Sequence, residues 1–424
     1  MSSISEIKKN HRSIIFQKLV VVSILIGFLS SFLAITLKTI TEYYETIFFH
    51  KSTNSPWLLI IFPIFSLSVI YFLRIYLFKG KSNKGIKEIF EVTQNKNKNL
   101  PLYKIPSHFI NGLITVVFGG STGVEVSTVV ATATIGSIAQ QKENTFRTYK
   151  AELIGAGVAA GITALFGSPI AGIFFVLEVI SKKTTKVFFL TTGIAVLIST
   201  ALLFLLDESP LFPIEKMNWN YYAIPYFILL GILAGMNSVY ITKCVMFFKS
   251  TFAKFNQDYY KVLVGSILLS ISLYFLPELY GDGYHAVKEL LHTEVPLTVT
   301  LLISTLAILF LKPIITSVTL ASGGDGGVFA PSIFAGAFLG YLLATVLNTY
   351  FNAEVIPLNF MIIGMAAVLS ASIHAPFTSL FLVCGVTGNY TLFLPILGVC
   401  LIAKYTSKFI YPYTVYSIIP ISAK

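Results

Sequence analysis

The chain has 424 residues, 55% of them hydrophobic and 12% charged, with a net charge of +11. Soluble domains are about one-quarter charged, so an ordinary water-soluble enzyme is excluded. A membrane helix needs about 20 mostly apolar residues, and charge-free runs of that kind recur from end to end without the alternation of a barrel. The expected fold class is therefore an all-α polytopic membrane protein.

In chain order, a basic head with Lys8, Lys9 and Arg12 leads into the run 19–37, bracketed by Lys18 and Lys38. The run exceeds a signal-peptide core and no small-x-small cleavage site follows, so it reads as a retained first helix. Further charge-free runs are 52–73, 105–124, 126–141, 153–177, 187–206, 217–242, 262–277, 295–311, 326–353 and 355–403, the last long enough for two passes. The loop 74–104 carries eight basic residues against Glu88 and Glu91, whereas 38–56 has Lys38 and Lys51 beside Glu42 and Glu45. By the positive-inside rule the N-terminus is expected in the cytoplasm, with loops 178–186 and 243–261 inside and 207–216 and 278–294 outside. The lysines lie in short loops rather than one patch with interleaved aromatics, so no nucleic-acid partner is expected. Cys244, Cys384 and Cys400 are far apart and the six histidines lack ligand spacing, so neither a disulfide framework nor a metal or other cofactor is expected.

The stretch from Gly119 to Ser127 aligns with that from Gly323 to Pro331, matching three glycines and a valine at a constant spacing of 204. Gly157-Val158-Ala159-Ala160 falls on Gly364-Met365-Ala366-Ala367, and Ser168-Pro169-Ile170-Ala171 on Ala375-Pro376-Phe377-Thr378, at a spacing of 207. The loop count runs the first half outward where the second runs inward, so the chain is expected to be an inverted repeat with broken half-helices. The expected divisions are a cytoplasmic segment 1–18, a first repeat 19–206, a second repeat 207–420 and a tail 421–424.

Repeats of this kind place Gly- or Pro-interrupted spans around a site at the bilayer midplane. The breaks here are Gly119, Gly120 and Gly123 in one half and Gly323, Gly324 and Pro331 in the other. Each break frees the first amides of the following helix, whose dipole puts about half a positive charge there, an end that attracts an anion. The alternative reading is that the glycines serve close helix packing. Glu125, alone between two charge-free runs, is a functional candidate by default. Burial opposes its charge and a helix start favours it, which is the competition a gate needs. Asp325 reads as a cap for the half-helix beginning near Gly327, and Glu178 either as a solvated ion pair beside Lys182 or as a group with a transport role.

These residues resemble the CLC family of chloride channels and proton-coupled chloride exchangers, over about residues 57 to 420. The gating run is similar to Gly123-Val124-Glu125-Val126-Ser127, and the family's Gly-x-Phe-x-Pro run to Gly327-Val328-Phe329-Ala330-Pro331. Gly167-Ser168-Pro169-Ile170-Ala171-Gly172 and Thr387-Gly388-Asn389-Tyr390 also look like family stretches. The resemblance implies a homodimer in the lipid bilayer with an anion path in each subunit. It makes Glu125 the gating glutamate, gives the anion the amides of Gly327, Val328 and Phe329, and makes Tyr416 its inner hydroxyl donor, with Tyr411 and Tyr413 as rivals. Three departures stand out. Val124 and Ser127 replace the Arg and Pro of the gating run, Lys84 stands where the inner serine belongs, and Val179 replaces the proton-relay glutamate of exchangers. Lys84 reads either as a lure for anions or as a lysine reaching for water. Only residues 404–424 follow the last run, so no nucleotide-binding domain is expected.

The expected function is transport of chloride or a similar small anion, channel-like because Val179 carries no proton. A proton-coupled chloride antiporter is the alternative. A membrane-embedded enzyme, the reading from another class, would need a second catalytic group converging on Glu125.

Overall fold

The computed structural model describes residues 2–81, 83–95, 97–181, 184–215, 217–292 and 299–416. Lys182 and Lys183 of the inner loop, Ser417 and Ile418 beside Tyr416, and the tail 421–424 lie outside the described residues. Among the described residues the structure is all helix apart from one isolated backbone bridge.

The first half comprises α1 (Ser2–Asn54), α2 (Leu58–Phe72), α3 (Ile86–Gln94), α4 (Lys104–Val117), α5 (Glu125–Gln141), α6 (Lys150–Phe166), α7 (Pro169–Phe175) and α8 (Lys186–Leu205). The second comprises α9 (Ile224–Phe252), α10 (Asp258–Phe275), α11 (Tyr284–His292), α12 (Val299–Ala321), α13 (Phe329–Phe351), α14 (Pro357–Ile373), α15 (Pro376–Thr387) and α16 (Phe393–Ile410). Eight helices among the described residues are long and apolar enough to cross a membrane.

Helix α1 runs past Lys38, where the charge-free run ends, because neither Gly nor Pro lies between Lys38 and Pro56. The Lys38 ammonium is held by Glu208 at 2.9 Å. The run 355–403, long enough for two passes, instead contains α14, α15 and the start of α16. His374 turns left-handed at φ 56° just before Pro376, and Gly388 does the same at φ 64°. At 1.5 Å per residue α14 spans about 26 Å and α15 about 18 Å, so α15 is a half-helix too short to cross.

The two halves pack alike. Helices α1, α5, α6 and α8 form one cluster, and in α9, α13, α14 and α16 the corresponding pairs of helices touch. In the first, Gly136 and Gly157 let α5 and α6 meet backbone to backbone, since a Cβ on either would overlap the Leu153 or Thr132 carbonyl. In the second, Gly340 and Gly364 do the same for α13 and α14, at the sequence spacings of the repeat. Such close approach is how helices associate where lipid removes the hydrophobic drive. Across the halves, α2 packs on α10 and α7 on α15. Phe174 of α7 and Phe381 of α15 are repeat-related and stack on one another, 5.5 Å apart and 7° from parallel. Large side chains such as Phe204, Phe275 and Phe409 face outward, exposed, as a lipid-facing surface requires.

Candidate functional site

The site forms where the two Gly-rich breaks cross. Gly123 and Gly327, a repeat-related pair, make the single antiparallel bridge. Each turn is tied to the other half by a threonine. The Thr115 hydroxyl of α4 accepts from the Asp325 amide at 3.0 Å, and the Thr319 hydroxyl of α12 accepts from the Ser121 amide at 3.2 Å. Thr122 adds a bond from its hydroxyl to the Gly327 carbonyl at 2.8 Å. Gly119 and Gly323 take φ of 83° and 102°, a region open to glycine. Gly120 and Gly324 close the turns onto the Thr115 and Thr319 carbonyls at 2.7 and 3.0 Å.

Two helices start from this crossing, α5 at Glu125 and α13 at Phe329, and neither N-cap residue gives a side-chain cap. Pro331 is the third residue of α13, where its missing N–H costs nothing. Asp325 does not cap α13 as the sequence suggested. Its carboxylate is drawn away by His108 Nδ1 at 2.9 Å and Asn83 Nδ2 at 2.7 Å, partners that satisfy it better than a helix amide. Uncapped starts of this kind present free amides and the positive end of the helix dipole, which favour negative charge. Val328 and Phe329 are buried, and Phe329 packs on Phe175, Phe166 and Tyr416, so both offer the site their backbone.

Glu125 is 2% exposed. Its Oε1 accepts from the Tyr284 hydroxyl at 2.7 Å, and its carboxylate fills the space a Cβ on Gly123 would need. Tyr284 was not among the sequence candidates. The one available signal was its place in the Gly281-Asp282-Gly283-Tyr284 turn of the acidic outer loop.

A cavity of about 550 Å³ opens from one face and ends at Gly327, Val328 and Tyr416. Its wall carries Arg74, Lys84, Lys87, Lys249 and Lys261 against Glu91, Asp258 and Asp325, so the lining is basic on balance. Arg74 also braces the break, donating to the Gly323 carbonyl at 2.7 Å. Lys84 is exposed in the loop that leads into α3. The Tyr416 hydroxyl is buried without a partner at the end of this cavity. Its rivals are elsewhere: Tyr411 donates to the Met246 sulfur at 3.0 Å, and Tyr413 is exposed. The structure thus brings Glu125, Gly327, Val328, Phe329 and Tyr416 together, with Lys84 at the mouth.

Glu178 and Val179 sit in a π turn, Val176–Ile180, at the end of α7. Glu178 is a cap rather than a free carboxylate. It accepts from the Phe377 amide at 3.3 Å, the Thr378 amide at 2.8 Å and the Thr378 hydroxyl at 2.7 Å, closing the start of α15.

Residues 68–408 match the family described as voltage gated chloride channel. The chain is 28% identical over 315 residues to a putative chloride channel protein ClcB-like of Ralstonia nicotianae, covering 70% of each. It is 26% identical over 418 residues to the H(+)/Cl(-) exchange transporter ClcA of Vibrio parahaemolyticus, covering 94% of this chain and 87% of that one. Its fold is similar to that of a CLC-type fluoride/proton antiporter (TM-score 0.77, 24% identity, 94% and 96% covered). A slow cyanobacterial Cl-/H+ antiporter matches with TM-score 0.80 at 20% identity, over 94% and 96% of the two chains. An inverted helical repeat, eight apolar helices of membrane-crossing length and a family model spanning most of the sequence lead to one conclusion: this is an integral multi-pass membrane protein that belongs to the voltage-gated chloride channel family, a family of anion transporters.

Proposed function

We propose that the chain exchanges chloride or a similar small anion for protons across the membrane, with Glu125 as the group both species contend for. The observation that carries this reading is the placement of Glu125. Its carboxylate is buried at the start of α5 against the crossing of the two breaks, with one oxygen bound to Tyr284 and Oε2 without a partner. A carboxylate there competes with an anion for the same uncapped amides when charged, and yields when protonated. In this scheme Val328 and Phe329 amides and the Tyr416 hydroxyl hold the anion, and the cationic cavity with Lys84 gathers it. The names of the relatives favour exchange over the channel-like expectation.

Uncoupled conduction is the second reading, and one observation favours it: Glu178 is committed to capping α15 and Val179 cannot titrate. The resemblance supports a homodimer with the repeats at 19–206 and 207–420, and the lysine-rich loops support a cytoplasmic N-terminus. Transport rather than catalysis is supported by the family match and by the named relatives, a chloride channel protein and an exchange transporter.

The deciding experiment is an outward chloride gradient across sealed proteoliposomes, with protons at equal activity on both sides at the start. Exchange drives protons inward against their own growing gradient. Chloride efflux with no proton movement establishes the channel reading.

A further inference from the structure

The face opposite the basic cavity holds more titratable side chains than an anion requires. Helix α2 runs between the two faces: the π turn Leu73–Leu77 that continues it brings Arg74 to the basic cavity, and its start follows α1, whose last three turns hold Glu45. Glu45 of α1, Asp282 of the turn before α11 and Lys312 of α12 are all buried, 9%, 7% and 0% exposed. They are joined to the gate. The Asp282 amide donates to Glu45 Oε1 at 3.2 Å, Asp282 Oδ1 accepts from the Tyr284 amide at 2.7 Å, and the Tyr284 hydroxyl donates to Glu125 Oε1 at 2.7 Å.

Lys312 is the one cation inside the cluster among the described residues, and it donates to the Leu279 and Gly281 carbonyls at 3.2 and 3.0 Å instead of pairing closely with a carboxylate. Two buried carboxylates, Glu45 and Asp282, thus share one ammonium, and a third, Glu125, is bonded to the Tyr284 hydroxyl beyond them. Like charges in low dielectric do not all ionise together, so the cluster keeps a proton in reserve. Burial pushes the Asp282 carboxyl up to about 7, against the opposing bond from the Tyr284 amide, with Glu125 and Glu42 pushing the same way and Lys312 opposing.

The turn is built around these groups. Gly281 and Gly283 take φ of 54° and 82°, and a Cβ on Gly281 would overlap the Glu45 carboxylate. A cavity of about 70 Å³ lies between Glu45, Asp282, Tyr284 and the exterior, large enough for water. Glu42, Glu278, His285 and Lys288 stand around its mouth.

We propose that Asp282, backed by Glu45 and ending in the Tyr284 hydroxyl, is the route by which protons reach Glu125 from this face. Asp282 releases its proton to cavity water, which delivers one to the Tyr284 oxygen as Tyr284 passes its own to Glu125 Oε1. One carboxyl loses a proton, one carboxylate gains it, and Tyr284 ends as it began. Lys312 compensates the charge left on Asp282.

This inference rests on the exchange reading, and the test separates the two. Wild type, Tyr284→Phe, Asp282→Asn and Asp282→Glu are reconstituted, and chloride and proton fluxes are recorded together at several values of outer pH. Tyr284→Phe is expected to lower the proton-to-chloride ratio about tenfold or more, with the elution profile in detergent reporting a folded protein. Asp282→Asn is expected to lower the proton-to-chloride ratio and flatten its dependence on outer pH, and Asp282→Glu to restore both. Unchanged ratios and fluxes in Tyr284→Phe and Asp282→Asn overturn the route while leaving exchange intact, and an equal fall of both fluxes that a lower outer pH does not relieve reduces these residues to a structural role. Absence of uphill proton movement in the wild type itself overturns exchange, and the route with it.

Discussion

Glu178 and Thr378 join the two repeats, the carboxylate of one half capping a half-helix of the other through Thr378 N and Oγ1 at 2.8 and 2.7 Å. Both oxygens of Glu178 are spent on this cap, one on the Phe377 amide and the other on Thr378. Glu178→Ala is therefore expected to destabilise the protein by about 1–2 kcal/mol, the worth of a strong cap, with an unchanged proton-to-chloride ratio. Thermal unfolding in detergent and paired flux measurements check both halves of the statement. A changed ratio in a stable variant would place Glu178 on the proton path.

Glu125→Gln keeps the shape of the side chain and its hydrogen bond with Tyr284 while removing the charge that competes for the anion. Anion flux should persist and lose its dependence on pH, and uphill proton movement should vanish. Retention of the wild-type pH profile would remove Glu125 from the gate.

Tyr416→Phe deletes the buried, unpartnered hydroxyl at the end of the basic cavity. A hydrogen bond to a charged group contributes about 1.5–3 kcal/mol, so chloride binding measured by calorimetry should weaken by about tenfold or more. In bromide-soaked crystals of the unaltered protein, anomalous density is expected within hydrogen-bond reach of the Val328 or Phe329 nitrogen. Density restricted to the lysine-rich loops contradicts the site.

Lys84→Glu reverses a charge at the mouth of that cavity. The lysine acts at long range if it gathers anions, so flux should fall at low ionic strength and recover as salt screens the mouth. An identical loss at every salt concentration would instead mean a contact made by Lys84 itself.

Gly336→Ala tests the closest helix crossing. A Cβ there would overlap the Gly364 carbonyl and lie 2.7 Å from the Met365 Cα, backbone atoms that cannot step aside. Destabilisation of about 1–3 kcal/mol is expected, read as a lower unfolding temperature in detergent.

The sequence by itself determined the class of molecule, the inverted repeat and the position of the central carboxylate. Each of these is written along one dimension: apolar run length, Gly runs at a spacing of 204, one acid between two charge-free runs. Tertiary structure alone decided who partners whom. Asp325 looked like a cap until His108, 217 residues away in sequence, took its carboxylate. Tyr284 reaches Glu125 across 159 residues, and Thr115 and Thr319 tie each turn to the opposite half across 210 and 198. The length of the run 355–403 did not show where its helices end, because hydropathy does not register the left-handed turns at His374 and Gly388. The choice of a hydrogen-bond partner depends on which groups the packed helices leave within about 3 Å of each other, and no local pattern carries that information.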